Sequence, residues 1–150
     1  MYQSLYRKYR PRNFEEVVGQ EVVVKTLIHT IQKKQLTHAY LFTGPRGTGK
    51  TSIAKILAKT VNCENPLNSI PCDICVNCTQ FNNKQNSDIL EIDAASNNGV
   101  DEIRELKNKI SIVPSNGKYK IYIIDEVHML TVGAFNALLK TLEEPPSHVI

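Results

Sequence analysis

The sequence has no tryptophan, only two methionines, and aromatic residues at 7% of its 150 positions. It also lacks long hydrophobic runs: none approaches the roughly 20 residues a helix needs to cross a bilayer. Met1 to Asn13 carries no apolar core of the kind a secretory signal requires. A membrane-spanning or secreted protein is thereby set aside, and the cytoplasm is the expected compartment. Charge of one sign is scarce as well. Eighteen basic against fifteen acidic side chains leave a net +3, too mild to argue for nucleic acid on its own. With 41% hydrophobic and 22% charged residues, the chain reads as soluble and globular, a single domain over residues 1–150.

What is present is more specific. Gly44-Pro45-Arg46-Gly47-Thr48-Gly49-Lys50-Thr51 is a complete G-x-x-x-x-G-K-[ST] loop. The apolar run Ala39-Tyr40-Leu41-Phe42 before it predicts a buried strand, and Ser52 to Val61 behind it predicts a helix. Glycines permit backbone angles that turn successive N–H groups towards phosphate oxygens, and the helix N-terminus adds partial positive charge there. Lys50 is suited to the β- and γ-phosphates of ATP and the Thr51 hydroxyl to Mg²⁺.

A second motif completes the first. Ile121-Tyr122-Ile123-Ile124-Asp125-Glu126 is an apolar strand ending in two acids, a Walker B arrangement that opens into the crevice where parallel sheets bind ligands. Asp125 is suited to orient Mg²⁺. Glu126 is suited to act as general base on the attacking water. An acidic pair alone is weak; an intact phosphate loop some 75 residues upstream makes the pairing specific.

Cys63, Cys72, Cys75 and Cys78 have the spacing C-x8-C-x2-C-x2-C within a loop-rich insert, residues 62–87. Four thiolates complete a tetrahedral Zn²⁺ shell and leave no position for a catalytic water, so such a zinc is structural. An iron–sulfur cluster takes four thiolates too and stays open on spacing alone. Disulfides are disfavoured in a reducing compartment.

Along the chain, residues 1–19 read as extended and irregular, with Arg7, Lys8, Arg10 and Arg12 a solvated basic arm or a phosphate contact. Gln20 to Gln35 reads as a helix. Ile89 to Asp93 follows as a second strand, Val100 to Ile110 as an amphipathic helix and Tyr119 to Ile124 as a third strand. Thr131 to Leu142 is a helix with Val132, Phe135, Leu138, Leu139 and Leu142 on its apolar side, stopped by Pro145-Pro146. Ser147 to Ile150 resembles the opening of another strand. Strands alternating with helices indicate an α/β fold with a parallel sheet.

Taken together, these motifs resemble the gamma/tau subunit family of bacterial DNA polymerase III, the AAA+ motors of the replicative clamp loader. The carrying residues are Tyr6 to Pro11, Phe14 to Gln20, the phosphate loop, the four cysteines, Asp93-Ala94-Ala95-Ser96, Asp125 to His128, and Asn136 to Lys140 through Pro146. The resemblance spans essentially the whole chain, and the cysteine insert is its most discriminating part. It implies a P-loop NTPase fold of AAA+ type, incomplete at the C-terminus and carrying a zinc insert. It also implies ATP hydrolysis to load a sliding clamp onto primed DNA in company with other clamp-loader subunits. By resemblance the stretch Leu5 to Gln20 lines the nucleotide site, with the segment around Val17 and Val18 near the base, and Arg104 is the basic residue best placed to meet the DNA phosphates. His128 is assigned no chemistry. The sheet order implied is 5-1-4-3-2, with a sensor strand between the phosphate-loop strand and the Asp125 strand. Only its opening residues are present, so the isolated chain is expected to be marginally stable and poor in turnover. A fragment that binds nucleotide and zinc without turnover, or another AAA+ DNA motor, are the alternative readings.

Overall fold

The computed structural model describes residues 4–150, without the Tyr6 side chain. The irregular segment expected over 1–19 therefore falls partly outside the described residues. The remainder is more ordered than expected. Leu5–Lys8 forms one helical turn, α1, and Phe14–Glu16 a 3-10 turn. The second turn has a local cause: the Asn13 side-chain oxygen accepts the N–H groups of Glu15 and Glu16 at 3.0 and 3.2 Å. Behind that cap Phe14 is only 2% exposed, so this segment is seated in the core.

Glu21–Gln32 forms α2 and Lys50–Asn62 forms α3. The insert is loop-rich but also contains a short helix that its polar composition did not suggest, α4, Val76–Asn82. Strand β1, Ile89–Asp93, helix α5, Val100–Ile110, and strand β2, Ile121–Asp125, make a βαβ unit. The strands are parallel, in register from Ile89 opposite Ile121 to Asp93 opposite Asp125. Helix α6, Val132–Glu143, packs on α5. Its N-cap is Thr131, whose hydroxyl accepts the Ala134 N–H at 3.2 Å.

Alternation along β2 divides the interior into two layers. Ile121 and Ile123 face Val24, Leu27, Ile53, Ile56, Leu57 and Val61 of α2 and α3, together with Phe14. Tyr122 and Ile124 point the other way, onto Ile103, Leu106 and Ile110 of α5 and Ala134 and Leu138 of α6. Both faces of the strand are covered, which is why its sequence is apolar throughout.

Two expectations need correction. Ala39 to Phe42 does not join the sheet. Its side chains alternate as a strand's would: Tyr40 and Phe42 pack on the α2–α3 core, with ring centroids 6.5 Å apart, while Leu41 is 76% exposed. What it lacks is a neighbour's backbone. On the edge of β2 away from β1, Val149 and Ile150 run parallel, with Ile150 N–H to Lys120 O and Tyr122 N–H to Ile150 O both at 3.0 Å. That edge is therefore taken up by a segment other than Ala39 to Phe42. On α6, only Ala134 and Leu138 are buried; Val132, Phe135, Leu139 and Leu142 stay substantially exposed. One helix, α5, covers one narrow stripe of α6, and the apolar side expected from periodicity is wider than that stripe.

Candidate nucleotide and metal sites

The phosphate loop lies where the chain turns into α3. Gly47 and Gly49 have φ of +82° and +85°, and a Cβ at either position would meet nothing within 4 Å. The demand for glycine here is therefore conformational rather than one of space. Thr48 Oγ1 donates to Pro45 O at 2.8 Å, closing the loop on itself. Lys50, the first residue of α3, bends its ammonium back over the loop and donates to the carbonyls of Gly44 and Pro45 at 2.8 and 2.7 Å. Arg46 is exposed on the same loop.

The two halves of the candidate site meet through one contact. Thr51 Oγ1 donates to Asp125 Oδ2 at 3.0 Å, across 74 positions of sequence. The other carboxylate oxygen accepts the Glu126 N–H at 3.0 Å. Helix α3 presents Thr51 in its first turn and β2 presents Asp125 at its carboxyl end, so a hydroxyl and a carboxylate converge beside the loop. Oxygen donors of this kind suit Mg²⁺. Glu126 follows in a left-handed conformation, φ +55°, which for a non-glycine residue is strained and concentrates at functional positions. Its Oε2 lies 3.3 Å from His128 Nε2. His128, given no role from the sequence, is thus Glu126's neighbour.

The stretch Leu5 to Gln20, expected by resemblance to line the nucleotide site, meets the loop at its end: Gln20 Nε2 donates to Thr48 O at 3.3 Å. Val17 packs against the core, whereas Val18 is 93% exposed beside it. Arg104 lies apart on the outer face of α5, 3.4 Å from Asp101 Oδ1 and largely in solvent.

The four cysteines come together. Their sulfurs all lie within 4.8 Å of one another, with Cys63 and Cys78 fully buried, and could hold a metal ion. Each chain turn aims N–H groups at sulfur: Cys72 N–H at Cys63, Cys75 N–H at Cys72 and Cys78 N–H at Cys75, at 3.2, 3.3 and 3.4 Å. The N–H groups of Ile74 and Cys75 draw the Cys72 thiol down to about 6. Burial pushes Cys63 and Cys78 up. A divalent ion reverses that penalty by stabilising thiolates.

A buried polar network joins this module to β2. Asn62, 1% exposed at the end of α3, accepts the Tyr119 N–H and donates to Tyr119 O, both at 2.9 Å. Asp88, also 1% exposed, accepts the N–H groups of Ser115, Asn116 and Gly117 at 2.7 to 2.8 Å, with Lys120 Nζ 3.6 Å away. Burial alone would raise this carboxyl, but the three N–H groups and Lys120 outweigh it and hold it below the ordinary carboxylate range. Neither residue was singled out from the sequence, because a lone Asn or Asp carries no pattern.

An α/β chain with a parallel βαβ unit, a phosphate loop opening a helix and an acid at the next strand's end belongs to a nucleotide-binding class of fold. Within that class, the family described as DNA polymerase III, delta subunit, a clamp-loader AAA+ family, matches residues 19–150, and the chain belongs to it. The chain is 62% identical over 149 residues to DNA polymerase III subunit tau of Bacillus subtilis (strain 168), covering 99% of this chain and 26% of that protein. It is 51% identical over 148 residues to subunit tau of Escherichia coli (strain K12), covering 99% and 23%. To subunit gamma of Buchnera aphidicola subsp. Schizaphis graminum (strain Sg) it is 47% identical over 148 residues, covering 99% and 41%. The chain thus spans between about a quarter and two fifths of the length of these relatives.

Proposed function

We propose that this chain is the ATP-binding and hydrolysing part of a replicative clamp loader, a motor that uses ATP to place a sliding clamp on primed DNA. The observation that carries the reading is the Thr51–Asp125 hydrogen bond, which joins the phosphate loop to the acid of β2 in the arrangement a Mg²⁺–nucleotide needs. The loop's N–H groups and Lys50 would hold the phosphates. Thr51 and Asp125 would hold Mg²⁺, which would supply positive charge against the phosphates. Glu126 would polarise the attacking water, with His128 holding its carboxylate. Val17, Val18 and Gln20 would border the base. The relatives' names as polymerase III subunits support other clamp-loader subunits, the clamp and primed DNA as partners, and the cytoplasm as compartment; Arg104 is the candidate DNA-phosphate contact. The cysteine cluster, with insert 62–87 as its module, is read as a structural zinc site. All four sulfurs lie within 4.8 Å of one another, close enough to gather on one ion. A cluster of several irons would spread them farther.

The direct test is nucleotide binding. Lys50→Ala should weaken ATP affinity at least about 10-fold, near 1.4 kcal/mol, by removing a charge-assisted contact to phosphate. Unchanged affinity by calorimetry would place the nucleotide elsewhere.

A further inference from the structure

Lys59 is a charged side chain where one is not expected. It lies on α3 with its side chain 3% exposed, and burying an unpaired ammonium costs several kcal/mol. Its partners explain why it is tolerated. The ammonium donates to Asp73 Oδ1 and, at 2.9 Å, to Asn82 Oδ1. Asn82 Nδ2 closes the triangle by donating to the same Asp73 oxygen at 3.1 Å. The Phe81 ring stands 5.8 Å from the ammonium and covers it.

Each corner of the triangle belongs to a different cysteine-bearing segment. Lys59 is one helical turn before Cys63, the residue that caps α3. Asp73 directly follows Cys72, and its own N–H is directed at the Cys78 sulfur. Asn82 ends α4, the helix that Cys75 caps and that contains Cys78. One buried cation therefore ties together all three segments that supply the four sulfurs.

We propose that Lys59, through Asp73 and Asn82, is the positioning residue of the cysteine metal centre: it holds the three ligand segments in register. This rests on the reading of the cluster as a metal site. Asp73 stands at φ +60°, a conformation asparagine also accepts readily. Asp73→Asn therefore keeps the backbone and its N–H to sulfur while removing the charged anchor.

The test measures Co²⁺ and Zn²⁺ affinity of the whole chain by competition with a chromophoric chelator, with the Co²⁺ absorption spectrum recorded beside it. Lys59→Met and Asp73→Asn should each weaken Zn²⁺ at least about 10-fold, and Lys59→Arg should recover part of the loss. Lys55→Met removes a cation from the same helix but one paired with Glu91 on β1, and should leave metal affinity unchanged. Equal affinity in wild type, Lys59→Met and Asp73→Asn overturns the inference while leaving the metal site intact. An equal loss in Lys55→Met also overturns it, because a general charge or helix effect would then be at work. If Lys59→Met does not fold even with metal, Asp73→Asn decides by itself. A wild-type chain that binds neither ion overturns the metal reading and this inference with it.

Discussion

Glu126 concentrates several unusual features in one residue. It is the second acid of its pair, it takes the left-handed backbone region, and its carboxylate rests beside an exposed imidazole 3.3 Å away. The strain is understandable if the carboxylate must leave the line of β2 while Asp125 stays on it: Asp125 is bound by Thr51, and Glu126 is turned out towards solvent. An amide at position 126 keeps the shape but cannot accept a proton from water. Glu126→Gln should therefore retain ATP binding and lose turnover by about 10²- to 10⁴-fold, measured beside the unaltered chain under conditions where that chain hydrolyses ATP. Native turnover in the variant would remove Glu126 from the general-base role.

Among the elements, the connection between α3 and β2 matters most, because these two carry Thr51 and Asp125. At the far end of both, the chain is tied by side chains rather than by a sheet. Asn62 brackets Tyr119, and Gly117 lies so close that a Cβ there would come within 2.6 Å of the Asn62 amide. Asp88 gathers the loop before β2 through three N–H groups. Asp88→Asn removes the charge that Lys120 and those N–H groups stabilise, and should destabilise the chain by about 3–5 kcal/mol, the usual penalty for breaking a buried pair. The pH dependence has a definite sign. The folded pKa of Asp88 lies below its unfolded value, so its contribution is full above about pH 4 and is lost as pH falls through the folded pKa. A wild-type chain should lose melting temperature on acidification below pH 4, and Asp88→Asn should lose less over the same interval. Parallel acid profiles for the two would show that Asp88 is not the group responsible.

At the scale of the whole molecule, two ligands are expected to stabilise different regions. Structural zinc supplies on the order of 10 kcal/mol to small modules, and the insert has little apolar core besides the cysteines themselves. Chelation should therefore strip hydrogen-exchange protection from residues 63–82 first. Mg²⁺–ATP at 100 times its dissociation constant should add about 2.7 kcal/mol, a rise of roughly 5–10 °C for a chain of this size. A thermal shift that requires Mg²⁺ and falls by about half or more in Lys50→Ala at the same ATP concentration would be the signature; a shift equal in both would point to binding outside the loop.

Local chemistry written in consecutive residues was legible without coordinates. The phosphate loop, the apolar strand ending in Asp125 and Glu126, the close cysteine spacing and the amphipathic stripe of α5 each depend on short-range geometry, so type and spacing suffice to read them. Tertiary structure alone decided the remainder. That Thr51 reaches Asp125 depends on where α3 and β2 settle relative to each other. That Tyr40 and Phe42 pack half-buried on the α2–α3 core while their backbone pairs with no strand depends on where neighbouring backbone lies, since strand formation is a property of pairs, not of one run of residues. Lys59, Asn62 and Asp88 were unreadable for the same reason: a single polar residue has no period, and its burial follows only from partners distant in the chain.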